Sequence, residues 1–206
     1  MISNAIMTVI QSVGLILQMI VLVPFFIILL LISLLIPPTV DTDISKYETY
    51  RQELNYAVDF MPALDELGQF EELRFGYQET QEFIFCPKTM SLTVEYDAED
   101  YEAMKQQMLA DYDFIDAPIV DTDSDILLDD SFTHQGYLFH AVHTQEAMYR
   151  ACKYFGLLGL NDEQHCIAWL YYDDADRDYI AQADQDLDQE MRTLIDDEFH
   201  WKPFTE

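Results

Sequence analysis

Phe155–Leu160 (FGLLGL), Asn161–Gln164 (NDEQ) and Cys166–Tyr172 (CIAWLYY) read together as a β-hairpin, two apolar runs of strand length joined by a short polar break. In the return strand, Ile167, Trp169 and Tyr171 project to one side, and Ala168, Leu170 and Tyr172 to the other. Both sets are apolar, so the strand has no face left for water. It belongs at the centre of a sheet that is covered on both sides. Gly156 and Gly159 in the first strand fit close packing against neighbours.

Working outward, period-two alternation recurs upstream. Leu73, Phe75 and Tyr77 alternate with Glu72, Arg74 and Gly76, which predicts a half-buried strand. Phe83 and Phe85 before Cys86-Pro87-Lys88 predict a second strand and a turn, and Leu92, Val94 and Tyr96 a third. Short links make these an antiparallel meander. Gly136 to His143 reads as a further strand. Helical spacing appears between the strands. Ser45-Lys46-Tyr47-Glu48 is a capping-box pattern, followed by Tyr47, Tyr50, Leu54 and Val58, and predicts a helix from Ser45 to Asp59. A short turn opens at Pro62 and closes near Gly68. Asp97 caps a helix whose inward stripe is Tyr101, Met104, Met108, Leu109 and Tyr112, with Glu102 and Lys105 outside. Asp113 to Ser131 reads as an acidic surface loop, Thr144 to Lys153 as a helix, and Leu187, Met191, Leu194, Ile195 and Phe199 as the stripe of a C-terminal helix. The predicted class is α+β, a two-layer domain with a mostly antiparallel sheet packed by helices.

The N-terminal arm has a different character. The first forty residues contain no Asp, Glu, Lys or Arg, and residues 13–36 are almost wholly apolar. At about 1.5 Å per residue, a helix of that length spans roughly 36 Å against a ~30 Å hydrocarbon core. No basic n-region precedes it and no small-residue cleavage site follows it, so it reads as an uncleaved single-pass anchor in the lipid bilayer (residues 1–40) instead of a signal peptide. Pro24 should kink the span, and Pro37 with Pro38 should stop it.

Residues 41–206 then form one acidic soluble domain carrying the whole formal charge of −29, with 39 Asp and Glu against 10 Lys and Arg. That field argues against nucleic acid as a partner, because phosphate binding needs a basic stripe. It favours a basic protein or peptide, or a weakly held divalent cation. Lys46 and Arg51 follow the span and nothing basic precedes it, which pulls the domain inward. An inside-negative potential acting on so acidic a domain pulls the other way, and the reading adopted is a cell-membrane protein with an extracytoplasmic domain.

The segment Gly159–Glu163 (GLNDE), with Ile167–Asp173 (IAWLYYD) and then Asp176 and Asp178, resembles a pattern in uncharacterised single-pass membrane proteins of Gram-positive bacteria. The resemblance implies a bacterial origin and supplies no activity and no residue roles.

Candidate chemistry is sparse. Asp173, Asp174, Asp176 and Asp178 cluster after the hairpin and are the candidate metal ligands, with a polar strand end or Asx turn as the plain alternative. Asp121, Asp123, Asp125, Asp129 and Asp130 have the alternating spacing of a calcium loop, but Ile126 and Phe132 stand where an EF-hand needs Gly and Glu. His134, His140 and His143 are close in sequence, yet a strand would send His140 and His143 to opposite faces, and His165 and Cys166 alternate likewise. Cys86, Cys152 and Cys166 include no C-x-x-C pair and read as core thiols; Cys152 with Cys166 is the first pair to consider for a bridge. No nucleophile elbow, P-loop or dinucleotide loop occurs. The functional reading is a membrane-anchored binding or interaction module with no catalytic residues and no cofactor assigned. The alternative is a metal-assisted enzyme using the Asp173–Asp178 cluster.

Removing Met1–Pro38 is expected to leave a monomer that unfolds cooperatively, since the capping pattern and every core stripe lie beyond the cut. A molten or insoluble fragment at neutral pH would show that arm and domain are not independent.

Overall fold

The structure, a computed structural model, describes residues 18–28, 36–54, 56–81, 86–114, 119–121, 126–128, 131–142, 154–174 and 187–204. The chain divides into two units, residues 1–37 with 81–84, and residues 38–80 with 85–206. In the first, residues 18–28 are helical straight through Pro24, and the large apolar side chains from Met19 to Ile28 are 43–64% exposed. Among the described residues no helix is long and apolar enough to cross a membrane. Residues 13–17 and 29–35 of the expected span lie outside them.

The second unit carries nine strands among its described residues: β1 (Thr39–Asp41), β2 (Glu72–Glu79), β3 (Lys88–Glu95), β4 (Ile119–Asp121), β5 (Ile126–Leu128), β6 (Ser131–His134), β7 (Tyr137–Val142), β8 (Tyr154–Asn161) and β9 (Cys166–Asp173). Seven form one sheet in the order β1-β2-β3-β9-β8-β7-β6, and β4 pairs with β5 apart from it. Every described strand pairing is antiparallel. The helices are α1 (Tyr47–Glu53), α2 (Ala98–Asp111) and α3 (Leu187–Glu198). The class is therefore α+β on an antiparallel sheet, as the alternation predicts.

β9 is the fourth strand of seven, and all eight of its residues are buried. Ile167, Trp169 and Tyr171 share a core with Tyr47 and Leu54 from the α1 region and Tyr101 and Met108 from α2. Ala168, Leu170 and Tyr172 share another with Met191, Leu194 and Ile195 of α3. The sheet is thus the middle of three layers, which corrects the two-layer expectation. A strand that is apolar on both sides requires both covers. Gly156 and Gly159 leave room for rings on the two faces: a Cβ at Gly156 would lie 2.6 Å from the ring of Phe60 in the covering turn, and one at Gly159 2.5 Å from the ring of Phe139, its cross-strand partner on β7.

β2 and β3 were expected to turn a polar face to water, and here the C-terminal chain covers it. Gln78, Thr89, Ser91 and Thr93 are all buried. Their side chains meet the last turn of α3 and the segment that follows it. The Gln78 amide donates to the Asp197 carbonyl at 3.4 Å, the Thr89 hydroxyl to that of Glu198 at 2.6 Å and the Ser91 hydroxyl to that of His200 at 3.0 Å. The Trp201 indole N–H donates to the Thr93 hydroxyl at 2.9 Å, and the Arg74 guanidinium donates to the Pro203 carbonyl at 2.9 Å. Each pairing satisfies a strand side chain and an end-of-helix or tail group together, which offsets the cost of taking this polar row out of water. Gly76 sits among them with no side chain, and a Cβ there would overlap the His200 carbonyl oxygen.

Several local boundaries differ from the sequence reading. The first helix stops at Glu53 instead of Asp59: Leu54 is extended, Tyr56 is left-handed at φ 59°, and Ala57–Asp59 form a 3₁₀ turn. Arg51 holds that turn by donating to the Met61 carbonyl at 2.6 Å and the Val58 carbonyl at 3.2 Å. Asp43, not Ser45, provides the cap, accepting from the Ser45 amide at 3.0 Å and its hydroxyl at 2.7 Å. Asp97 caps α2 as expected, with Tyr101 and Met108 inward, but Leu109 is exposed. The stretch expected to be an acidic loop contains the β4–β5 hairpin, and β6 follows it directly. The β6–β7 turn is Gln135-Gly136 with φ 49° and 85°, the two left-handed positions that a two-residue hairpin demands. The third strand of the meander starts at Lys88, before the alternation at Leu92 is apparent. Phe83, Phe85 and the helix expected from Thr144 to Lys153 lie outside the described residues.

Thr89→Val keeps the shape of the side chain and removes its donor to Glu198. It is expected to cost about 1 kcal/mol in chemical denaturation. Gly76→Ala is expected to displace the tail, seen as a red shift of Trp201 fluorescence. An unchanged spectrum with unchanged stability in both variants would show that the tail is not held by this row.

Candidate functional site

The sheet has one edge that its own strands leave half uncovered. β1 pairs only with Tyr77–Glu79 of β2, although β2 runs from Glu72. The Thr80 amide donates to the Pro87 carbonyl at 3.0 Å, which sets the phase of the β2–β3 ladder. Even-numbered β2 residues therefore turn their backbone groups toward β3, and odd-numbered ones turn them outward. Tyr77 and Glu79 meet β1 in this way. Phe75 and Leu73 also direct N–H and C=O off the edge, and no strand pairs with them among the described residues.

The reason the pairing stops is local. The Asp41 carboxylate accepts the Asp43 amide at 2.9 Å, the Lys46 ammonium at 2.6 Å and the Tyr50 hydroxyl at 2.9 Å. Asp43 caps the following 3₁₀ turn. Together they bend the chain away from β2 immediately after Asp41. The Lys46 hydrogen bond above all, then those from Asp43 and Tyr50, hold the Asp41 carboxyl down at about 2.

A groove of about 310 Å³ lies along the uncovered part of the edge. Thr42 and Ile44 form one bank, Leu73–Phe75 with Ser91 and Thr93 the floor, and His200–Lys202 of the tail the other bank. Its ten described lining residues include no carboxylate, in a chain with 39. They do include Arg74, His200 and Lys202. Arg74 is already engaged, with Nε on Glu72 at 3.0 Å, one terminal nitrogen on the Pro203 carbonyl and Cζ 3.9 Å from the Phe204 ring centre. Lys202 makes no ion pair among the described residues. Burial, with the positive Lys202 beside it, holds the His200 imidazole below its ordinary value. The two banks differ in kind, since Ile44 is 37% exposed and apolar while Lys202 is exposed and charged.

A second cavity of about 260 Å³ lies between the Val58–Pro62 turn and α2. Its Arg51 and Tyr112 serve the fold. Arg51 binds the Met61 and Val58 carbonyls, and the Tyr112 hydroxyl donates to Phe60 at 2.6 Å while accepting from Trp169 at 3.0 Å. It is a packing seam between α2 and the turn.

The candidate ligands from the sequence fall in several places. Asp173 and Asp174 are buried at the end of β9, and Tyr172 donates to Asp174 at 3.4 Å. Asp176 and Asp178 lie outside the described residues, as do Asp123, Asp125, Asp129 and Asp130. Among the described residues no three metal-ligating side chains come together. His134 pairs with Asp196 at 2.9 Å, and His140 packs edge-on against Phe114, so these two have different surroundings; His143 is not described. His165 occupies a left-handed turn position against Tyr101. The Cys166 thiol donates to the Gln164 carbonyl at 3.2 Å and is pushed up by burial to about 11; Cys86 is half-buried, and Cys152 lies outside the described residues.

Sequence reasoning did not find the groove. Its signals were the polar Thr89-Ser91-Thr93 row and the basic, aromatic tail His200-Trp201-Lys202, which are far apart in the chain.

Asp41 has a folded pKa below its ordinary value of 3.8. Its contribution is therefore fully present above that value and is lost as pH falls toward about 2. An NMR titration is expected to give Asp41 a midpoint near 2, and Asp41→Asn should remove that part of the acid dependence. A midpoint at the ordinary carboxylate value would refute the interaction with Lys46.

No protein-family model, no curated protein and no solved structure matches this chain, so the reading of the groove rests on its own geometry.

Proposed function

We propose that this chain is a membrane-anchored interaction module whose acidic domain stands outside the cytoplasm and takes up an extended segment of a partner along the open edge of β2. The observation that carries the binding role is that edge, where two residues present backbone donors and acceptors that no strand among the described residues pairs, over a formed groove. Exposed strand edges are otherwise blunted or covered in proteins that do not use them. Adding a strand is a common way for a sheet to recognise a peptide, because the main chain supplies affinity and alternate side chains supply selectivity.

The anchor is supported by the uncharged, apolar run at residues 13–36 and by the exposed apolar side chains of the helix at 18–28. Such a surface needs a non-aqueous environment or a protein partner. A net charge of −29 keeps the domain away from anionic headgroups, and its outer surface would draw basic partners by steering. No nucleic acid and no cofactor enter this reading.

The full chain is expected to stay with membranes through alkaline carbonate washing, and a reporter fused after Glu206 should be active only outside the cytoplasm. Leu73→Pro removes one outward donor and no β2–β3 hydrogen bond, so it should abolish partner co-purification while retaining the fold by circular dichroism. Release by carbonate would sink the anchor. An identical set of partners with Leu73→Pro would sink the edge.

A further inference from the structure

We infer that the β2 edge selects an extended peptide with an apolar–acidic–apolar triplet, its acidic residue set opposite Arg74. The inference rests on the edge-binding reading and specifies its occupant. A strand added antiparallel to β2 would exchange both backbone hydrogen bonds with Leu73 and with Phe75. The residue between, opposite Arg74, would form a non-hydrogen-bonded pair, the kind in which facing side chains lie closest.

The two faces of the sheet then determine the order of residues. Phe75 belongs to the core shared with Tyr47, and its ring meets Tyr47 edge-on at 5.5 Å. Arg74 projects to the opposite face, where it meets Pro203 and Phe204 of the tail. Partner residues opposite Leu73 and Phe75 would therefore face the apolar bank with Ile44, and the one opposite Arg74 would face His200, Trp201 and Lys202. On that side the groove offers the Lys202 ammonium, which has no ion pair among the described residues, and beside it the Arg74 guanidinium, whose Nε is already on Glu72, and its described lining holds no carboxylate. A carboxylate fits those charges and an ammonium is repelled by them. At physiological ionic strength screening acts over about 8 Å, so Lys202 at the groove outweighs the acidic surface beyond that range.

A second copy of this chain does not fit. Pairing two β2 edges about Arg74 would set guanidinium against guanidinium, between two bodies each carrying −29.

The test uses the full chain in detergent micelles and three capped hexapeptides, identical except for Ile-Glu-Val, Ile-Gln-Val or Ile-Lys-Val at the centre, with binding read by calorimetry. The Glu peptide is expected to bind roughly fivefold tighter than the Gln peptide, with the Lys peptide weakest and the difference shrinking in high salt. Lys202→Glu, an exposed substitution, should bring the Lys peptide level with or ahead of the Glu peptide. Equal binding of all three peptides, lost with Leu73→Pro, would overturn the acidic preference and leave the edge reading standing. Binding that Leu73→Pro does not alter would overturn both. No binding by any peptide would overturn this inference alone, since partner co-purification tests the edge separately. A dimer in sedimentation that Leu73→Pro dissolves would overturn it in favour of self-pairing.

Discussion

The rest of the domain follows from the burial of β9 on both faces. A strand whose eight residues all avoid water cannot lie at an edge or on a half-solvated sheet. It needs hydrogen-bonded neighbours on both sides, which β3 and β8 supply, and an apolar cover above and below. One cover comes from the chain before and between the strands, α1, the Phe60 turn and α2. The other comes from the end of the chain, α3 and the tail to Phe204.

That second cover exposes a conflict and its resolution. β3 is apolar toward one face through Met90, Leu92 and Val94, but carries Thr89, Ser91 and Thr93 toward the other. Hydroxyls buried without partners would be costly. The tail meets them with carbonyls and an indole N–H at the positions where α3 ends and its last carbonyls need donors. The same arrangement makes Gly76 necessary and sets His200, Trp201 and Lys202 beside the β2 edge. The groove is thus a by-product of how the sheet's second face is covered, joined to the early departure of the chain at Asp41.

Most polar networks elsewhere serve the fold. The Asp162 carboxylate accepts from Tyr101 and Lys105, tying α2 to the β8–β9 turn, and Lys105 with Tyr101 holds it below the ordinary carboxylate value. Arg51 secures the turn after α1, and Trp169 reaches α2 through Tyr112. Against this background Lys202 is distinctive, because it makes no ion pair among the described residues.

Short-range periodicity determined a good deal. The β8–β9 hairpin, the central place of β9, the Asp97 cap and the inward stripe of α3 all depend on residues within one or two turns or strands of each other, so their pattern is legible in the chain. The charge separation between the first forty residues and the rest is likewise a property of sequence alone. Tertiary structure decided what covers each face. Thr89, Ser91 and Thr93 alternate like any solvated strand face, and nothing local distinguishes water from a returning tail more than a hundred residues away as the solvent for a hydroxyl. The end of α1 was hidden for a similar reason, since Arg51 gains the Met61 and Val58 carbonyls only once the turn has folded back. The open edge was the least legible feature: it is a place where pairing stops, set by where Asp41 finds Lys46, Asp43 and Tyr50, and strand alternation does not record which backbone groups a strand leaves unpaired.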